Sequence, residues 1–389
     1  MQTSDSGDLR SLLRLLPWVF FFSFLPFGFI FPYLVDDLHQ KEASHMGLLL
    51  AMPSIMTMLS GPLWGMLADW KQDWKIVLRI ASVLSVIGLY ILWQASTEWL
   101  FVGMFIYSLG SAPIGPIVDA LTLETVEKQT EFTVVSPKKY GDFRLWGSMG
   151  YMVGVLTIAI CQLQYPVTGL GMGTIFTGLF TLMAFWLPVP KRNTQHQEDA
   201  KFSQLFGNFE LLWLLACAAL HFSVHLANSS FLLQHFKLHL APEDLPEIWN
   251  AVAMALGVVV EIVVLLWGGR LLERWNAITL FRCAAILAIF RWIVMAISAA
   301  IVPLVLAQMT HGITFGLFWL SSVALVKRYT PPKLAGTGQS LLGAAVGGVG
   351  AAGGMFGASW IVERYSTVEF YWCAVAIACV SVLMSFRIR

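Results

Sequence analysis

The sequence predicts an all-α integral membrane protein with twelve transmembrane helices. Three observations support this prediction. The 389 residues are 57% hydrophobic and only 12% charged, they contain twelve long apolar stretches, and their basic residues lie mainly on one side of those stretches. Soluble domains carry about 25% charged residues, so the composition excludes an ordinary globular enzyme and a disordered chain. A net charge of +1 offers no basic surface for nucleic acid. We therefore expect the lipid bilayer as a partner and no nucleic acid.

Each apolar stretch is long enough to cross a bilayer, which takes about 20 residues in a helix. We expect no removable signal peptide, because no short apolar segment with a small-residue cleavage site follows the polar first residues, and the first stretch is helix 1. The first six stretches lie near 13–35, 46–68, 76–95, 99–126, 142–163 and 167–188, and the second six near 208–235, 247–270, 276–298, 300–327, 335–361 and 367–387.

A polar segment separates the stretches into two sets of six. We expect an N-terminal six-helix bundle at 1–188, a cytoplasmic linker at 189–207 and a C-terminal six-helix bundle at 208–389. The two halves resemble weak repeats. Helix 5 and helix 11 both carry small residues that let helices approach closely, namely Gly147, Gly150 and Gly154 in helix 5 and Gly343, Gly347 and Gly350 in helix 11. Two pseudo-symmetric halves of this kind are typical of transporters.

The connections after helices 2 and 8 provide the stronger repeat. Gly65 is followed by Asp69 and basic Lys71, and Gly269 is followed by Glu273 and basic Arg274. We interpret Gly65, Asp69, Gly269 and Glu273 as gating residues in cytoplasmic loops.

The basic residues predict the orientation. If the N-terminus is cytoplasmic, 20 of the 24 lysines and arginines lie at cytoplasmic ends, whereas Lys41, Lys237 and Arg364 lie outside and Arg291 lies within a helix. Positive charge concentrates in cytoplasmic loops, so both termini are expected inside, in a bacterial inner membrane. The five cysteines all lie in apolar runs without a C-x-x-C pair, which indicates buried apolar side chains and no metal ligands.

Five charged or titratable residues lie within or at the end of apolar helices, where a charge costs at least ~2.5–3.5 kcal/mol at the bilayer centre. Glu261 is nine residues before Arg270, and Arg291 is nine residues after Arg282, so both are expected about 13 Å from the cytoplasmic side. Glu261 and Arg291 can therefore form a pair, either as a static link between helices or as part of a functional polar cavity. The five residues are Asp119, Arg144, Glu261, Arg291 and His311.

These motifs carry a resemblance to the major facilitator superfamily. Gly65–Asp69 is similar to its signature between helices 2 and 3, although Trp70 stands where a basic residue is usual. The run Arg144-Leu-Trp-Gly147 and the 20-residue spacing of Arg291 and His311 resemble the lactose permease group. The run Tyr140-Gly-x-x-Arg144 and the pair Arg291-Trp292 are still closer to the bacterial phenylpropionate transporter group.

The resemblance implies roles for these residues. It implies substrate binding by Asp119, Arg144, Tyr151 and His225, to which we add Asn228 on the same face of helix 7. It implies proton coupling by polar residues of helices 8, 9 and 10, which are Glu261, Arg291 and His311 here. One departure matters, because Thr314 stands where lactose permease relatives have the proton-carrying carboxylate three residues after the histidine. We therefore expect Glu261 to carry the proton.

The sequence thus predicts a secondary active transporter, a proton-coupled symporter of a small organic solute that works by alternating access. Candidate substrates are aromatic acids, sugars and nucleosides, and the protein is expected to be a monomer. The sequence contains no ATP-binding motif, cofactor motif, metal-ligand set or catalytic constellation, so neither a cofactor nor an enzymatic activity is expected. An exporter that uses proton antiport stays open as an alternative, and an intramembrane hydrolase is the alternative from another class.

Overall fold

The computed structural model describes residues 2–43, 45–71, 73–94, 96–130, 137–188, 207–331 and 334–388. The predicted linker at 189–207 lies outside the described residues, apart from Gly207. The helices of the first half are α1 (Gln2–Ile30), α2 (Leu34–Gln40), α3 (Met46–Lys71), α4 (Trp74–Gln94), α5 (Leu100–Ser111), α6 (Ile114–Thr130), α7 (Pro137–Gln162) and α8 (Gly169–Trp186).

The second half begins with the long helices α9 (Phe209–His239) and α10 (Pro246–Arg274). It continues with α11 (Ala277–Ile297), α12 (Ile301–Met309), α13 (His311–Tyr329), α14 (Ala335–Gly343), a π-helical segment (Ala344–Gly350), α15 (Ala351–Arg364) and α16 (Thr367–Ser385). Across the part of the chain that is described, eleven segments are long and apolar enough to cross a membrane, and Met46–Gly61 of α3 is a shorter apolar segment at the place of the remaining predicted span.

Three of the predicted spans are interrupted helices. The fourth divides into α5 and α6 at Ala112 and Pro113, because proline has no backbone N–H to continue the helical hydrogen bonds. The tenth divides into α12 and α13 at Thr310, whose hydroxyl donates to the carbonyl of Ala307 at 2.6 Å. The eleventh contains the glycine-rich π-helical segment. Interruptions of this kind expose backbone or redirect side chains inside a helical bundle.

The chain forms two compact units, one of residues 1–45 and 52–196 and the other of residues 46–51 and 197–389. In the first unit, α1 packs against α7 and α8, and α4 packs against α5 and α8. In the second unit, α9 packs against the π-helical segment, α15 and α16, and α11 packs against α13 and α16. The same pairs of spans thus meet inside each unit, as expected for two halves with one architecture.

Glycines allow the closest of these contacts. A Cβ atom on Gly150 or Gly154 of α7 would collide with the backbone of α1. In the second unit, Gly350 faces Ala219 and Gly354 faces Ser223 with equally little space. Gly350 follows the predicted spacing, but Gly343 and Gly347 have open space around them. That part of the glycine prediction was wrong, because glycine is common in membrane helices even where no helix packs against it.

The short helix α2 holds the beginning of α8. The Asp37 carboxylate accepts a hydrogen bond from the backbone N–H of Leu170 at 2.8 Å, and the Thr168 hydroxyl accepts from that of Gly171 at 3.0 Å. Free N–H groups at a helix start attract such oxygens. Burial raises the pKa of the Asp37 carboxyl to about 6, because the loss of solvent outweighs the hydrogen bond from Leu170.

Candidate functional site

The predicted gating residues belong to helices and not to loops. Gly65 and Asp69 lie within α3, which continues to Lys71, and Gly269 and Glu273 lie within α10, which continues to Arg274. The loop assignment was therefore wrong, since the residues after each glycine favour helix and no proline follows. Gly65 and Gly269 have open space around them. The side chain of Asp69 lies outside the described part of the protein.

The N-terminal substrate residues lie on two neighbouring helices of the first unit. Asp119 is half-buried on α6, and Arg144 and Tyr151 are half-buried on α7, which packs against both α6 and α1. The Arg144 guanidinium lies 4.2 Å from the centre of the Phe24 ring of α1. This cation–π contact keeps the arginine within the bundle. The resemblance to lactose permease also implies that Asp119 pairs with Arg144, and this pairing stays a prediction.

The second unit contains a buried arginine at the centre of a polar network. Arg291 of α11 is only 2% exposed. Its Nη2 donates to Oε1 of Gln308 at 2.6 Å, and its Nη1 donates to Oγ1 of Thr314 at 3.3 Å and meets Nδ1 of His311 at 3.2 Å. Each of these partners can be uncharged. The guanidinium also lies 4.2 Å from the centre of the Trp292 ring.

The contact between Arg291 and His311 defines the tautomer of the histidine. A guanidinium carries donors only, so Nδ1 of His311 must accept and cannot carry a proton while the bond exists. His311 is therefore neutral in this arrangement, with its proton on Nε2. Binding of a proton at Nδ1 would break the bond to Arg291.

Thr314 is the junction between this arginine and two histidines of α9. Its hydroxyl meets Nε2 of His225 at 3.2 Å, and its backbone carbonyl accepts from Nε2 of His221 at 3.2 Å. Nδ1 of His225 donates to the carbonyl of His221 at 2.9 Å. The Thr314 hydroxyl can also donate to the carbonyl of His311 at 3.2 Å.

The Thr314 hydroxyl has one proton, so it cannot donate to Nε2 of His225 and to the carbonyl of His311 at the same time. If His225 is neutral, Thr314 donates to its Nε2. If His225 is protonated, its Nε2 donates to Thr314, and the hydroxyl turns to the carbonyl of His311. The network therefore accommodates a proton on His225 through rotation of one hydroxyl group.

An amide pair extends the network toward α16. The side chains of Asn228 and Gln308 exchange two hydrogen bonds, at 3.3 and 3.0 Å. The Tyr371 hydroxyl donates to Oδ1 of Asn228 at 2.9 Å. The Tyr371 ring stacks on Trp292 with centroids 5.9 Å apart. One side of the buried arginine is thus lined by aromatic rings.

The structure brings together four of the predicted residues, namely His225, Asn228, Arg291 and His311. The resemblance and the helix-face argument assigned the first two to substrate and the last two to protons, yet all four belong to one network. Glu261 is half-buried on α10, where Gly312 of α13 packs against its backbone. Its pairing with Arg291 stays a prediction.

Sequence reasoning missed Gln308 and Tyr371 as members of the site. Gln308 had a signal, because it is a polar residue one helical turn before His311 in an apolar stretch. Tyr371 had none, since a tyrosine near a helix start is usually an interface residue.

Comparisons with known proteins agree with the predicted fold. Residues 13–373 match the MFS_1-like family. The chain is 23% identical over 371 residues to the uncharacterized transporter YwbF of Bacillus subtilis, an alignment that covers 94% of this chain and 90% of that protein. It is 26% identical over 366 residues to a maltose permease of Geobacillus stearothermophilus, with 91% and 89% covered.

Two further similarities are informative. The chain is 24% identical over 258 residues to a probable 3-phenylpropionic acid transporter of Escherichia coli, with 64% of each chain covered. Its structure matches the crystal structure of a mutant of the nucleoside transporter NupG with a TM-score of 0.85 and 16% identity, over 97% of this chain and 99% of that one. The predicted all-helical membrane fold and the predicted superfamily are confirmed.

Proposed function

Because the chain belongs to the MFS_1-like family, we propose that this multi-pass membrane protein is a proton-coupled symporter of a small organic solute. It works by alternating access in a bacterial inner membrane, with both termini in the cytoplasm. The homologous proteins are named as transporters, which supports a transport function over an enzymatic one. The fold, the distribution of basic residues and the buried histidines support the finer parts of the proposal.

The observation that carries this proposal is the environment of Arg291. A buried guanidinium is costly unless an anion or several good acceptors surround it. The hydrogen bonds of Arg291 go to an amide, a hydroxyl and an imidazole. None of these groups neutralises the positive charge, so the guanidinium is suited to bind the carboxylate of a substrate. Next to the arginine, three groups can accept or release protons, since His221, His225 and His311 share the network with it.

Among the three candidate classes, this environment favours an aromatic acid. Arg291 and Gln308 can orient a carboxylate, and the aromatic side chains of Trp292 and Tyr371 lie beside the arginine, where an aromatic ring can pack with them. One homologue is named for 3-phenylpropionic acid, which combines these two groups. A sugar or a nucleoside is the alternative, and we assign its hydroxyl groups to Asp119 and Arg144, with Tyr151 against the ring.

We assign control of the conformational equilibrium to the ends of α3 and α10. An acidic side chain there can accept from the start of a neighbouring helix and keep one conformation closed. The residues concerned are Gly65 with Asp69 and Gly269 with Glu273. Asp69→Ala should change the transport rate while substrate affinity shifts only modestly. A large loss of affinity with unchanged cytoplasmic accessibility would contradict this role.

The test uses purified protein in liposomes that contain a pH-sensitive dye. 3-Phenylpropionate, maltose and uridine are added outside in separate experiments, one for each substrate class. Symport carries protons inward with the substrate, so the lumen should acidify with the compound that is transported. Liposomes without protein and liposomes treated with a protonophore are the controls. Uptake without any change of luminal pH would overturn proton coupling.

The same experiment distinguishes the exporter. Proton antiport would make the lumen more alkaline when substrate enters. The histidines beside Arg291 would serve either direction, so the sign of the luminal pH change decides between them.

A further inference from the structure

The end of α9 that we assign to the outside carries a second pair of histidines. Residues 235–239 read His-Phe-Lys-Leu-His and repeat, fourteen residues later, the pattern His-Phe-Ser-Val-His of residues 221–225. Fourteen residues are close to four turns at about 3.6 residues per turn, so all four histidines lie on one face of α9. The first pair belongs to the site described above, whereas the second has no role in it.

The two histidines of the second pair differ in burial, with His239 nearer the end of the helix. His235 is fully buried and His239 is half-buried, and their ring centroids are 4.6 Å apart. Among the described residues, neither Nε2 atom has a hydrogen-bond partner, although both atoms are buried. His235 does face the backbone of Met295, but without hydrogen-bond geometry.

The hydroxyl of Thr367 accommodates both protonation states of His235. It lies 2.8 Å from Nδ1 of that histidine. A hydroxyl can donate to a bare ring nitrogen and accept from a protonated one. The pair is thus built so that a proton can arrive and leave without a lost hydrogen bond at Nδ1.

The electrostatics around His235 and His239 allow the pair to bind one proton but not two. Lys237 of α9 forms an ion pair with Glu247 of α10 at 3.1 Å, so their charges compensate each other. Glu369 of α16 is exposed and accepts from the Ser366 hydroxyl. The amide of Asn250 is buried and uncharged on α10. Two protons on adjacent imidazoles would repel each other by several kcal/mol at an effective dielectric of about 20, so the pair holds one.

Tyr371 links this pair to the transport site. Its ring meets His235 edge-on with centroids 4.6 Å apart, and its hydroxyl holds Asn228. A positive charge on His235 changes its electrostatic interaction with the Tyr371 ring, and with it the placement of the Tyr371 hydroxyl. The protonation of the pair is therefore transmitted to Asn228 through one side chain.

We propose that His235 and His239 together form a proton-binding site, separate from the Arg291 network and coupled to it through Tyr371. Its ligand is a single proton from the outer side, which binds to one of the two imidazoles at a time. The use of this site in transport rests on the proposed symport function, but proton binding itself does not.

The test is a pH titration of the full-length protein in nanodiscs, with labelled histidines and asparagines observed by NMR and no substrate present. The side chains of His235 and His239 should titrate with coupled midpoints. His235→Gln should shift the midpoint of His239, and His239→Gln should shift that of His235. The side-chain amide signal of Asn228 should follow the same titration in wild type and lose this response in Tyr371→Phe, which lacks the hydroxyl that holds Asn228.

His45 provides the matched control, since it is an exposed histidine in the first unit. His45→Gln should leave both midpoints of the pair unchanged. Size-exclusion profiles identify any variant that fails to fold, and the half-buried His239 is the safer substitution. Titration of the two histidines without mutual influence, or no titration of either, would overturn the proposal, and so would an unaltered response of the Asn228 amide in Tyr371→Phe.

The outcome is independent of the transport assay. If the pair titrates as described but substrate moves without protons, the proton site stands and the symport proposal fails. If substrate acidifies the lumen but the pair does not titrate, symport stands and this site is excluded.

Discussion

Arg291 and His311 are twenty residues apart in the chain and meet through a hydrogen bond of 3.2 Å between Nη1 and Nδ1. This bond requires a neutral His311, because the guanidinium has only hydrogen-bond donors and Nδ1 of His311 must therefore accept. A proton that binds at Nδ1 releases Arg291 for another partner. The pair therefore links the protonation of a histidine to the availability of a buried positive charge.

Arg291→Lys should weaken substrate binding about 10- to 100-fold, because hydrogen bonds to a charged group contribute about 1.5–3 kcal/mol. Lysine keeps the charge but cannot reach His311, Thr314 and Gln308 with one ammonium group. The measurement is the substrate-dependent shift of the melting temperature in detergent. Arg364→Lys, at an exposed position, is the control and should bind normally. An unchanged affinity of Arg291→Lys would remove the arginine from the site.

Thr314→Val should impair proton coupling more than Thr314→Ser does. Valine has nearly the same shape but leaves Nη1 of Arg291 and Nε2 of His225 without the shared hydroxyl, at a cost of about 1–3 kcal/mol. Serine retains that hydroxyl. The measurement is the ratio of luminal acidification to substrate uptake in liposomes. Equal ratios in the two variants would show that the hydroxyl does not take part in coupling.

Glu261→Gln should still bind and exchange substrate but should not accumulate it against a gradient. The amide imitates a protonated carboxyl and cannot release a proton. Substrate exchange between loaded liposomes and medium is compared with uptake driven by a pH gradient. Normal pH-driven accumulation would make Glu261 a structural residue, and His311 would become the next candidate for the proton carrier.

Asp119→Asn and Arg144→Lys should each abolish binding of a hydroxyl-bearing substrate while expression is unaffected. The first removes a charge, and the second retains the charge but removes the bidentate fork. Binding is measured by thermal shift with sugars and nucleosides. Normal affinity in both variants would exclude these residues from the substrate site.

Asp37→Asn should flatten the dependence of thermal stability on pH. The pKa of Asp37 is raised from 3.8 to about 6 in the folded protein, so the fold favours the protonated carboxyl. Its contribution to stability is then largest at low pH and is lost as the pH rises through about 6. The variant should match wild type near pH 4 and exceed its melting temperature above pH 6.

Glu98→Gln, at an exposed position of the first unit, is the control for Asp37 and should leave the pH profile unchanged. Parallel melting curves of wild type and Asp37→Asn across this range would contradict a raised pKa.

The sequence by itself determined the class of the fold and the polar residues worth examining. Apolar length, charge composition and the side on which basic residues lie depend on the bilayer alone, so these properties can be read without knowing any contact. The same holds for Arg291 and His311, which stand out because charged and titratable groups are costly in an apolar helix.

Only the tertiary structure decided which side chains meet. Tyr371 and Asn228 are 143 residues apart, and their hydrogen bond depends on how α16 and α9 are rotated about their axes. Hydrophobicity is nearly uniform around these membrane-spanning helices, so the sequence pattern does not specify that rotation. The helical continuation through Gly65 and Gly269 also came from the structure, because a glycine permits a helix as well as a turn.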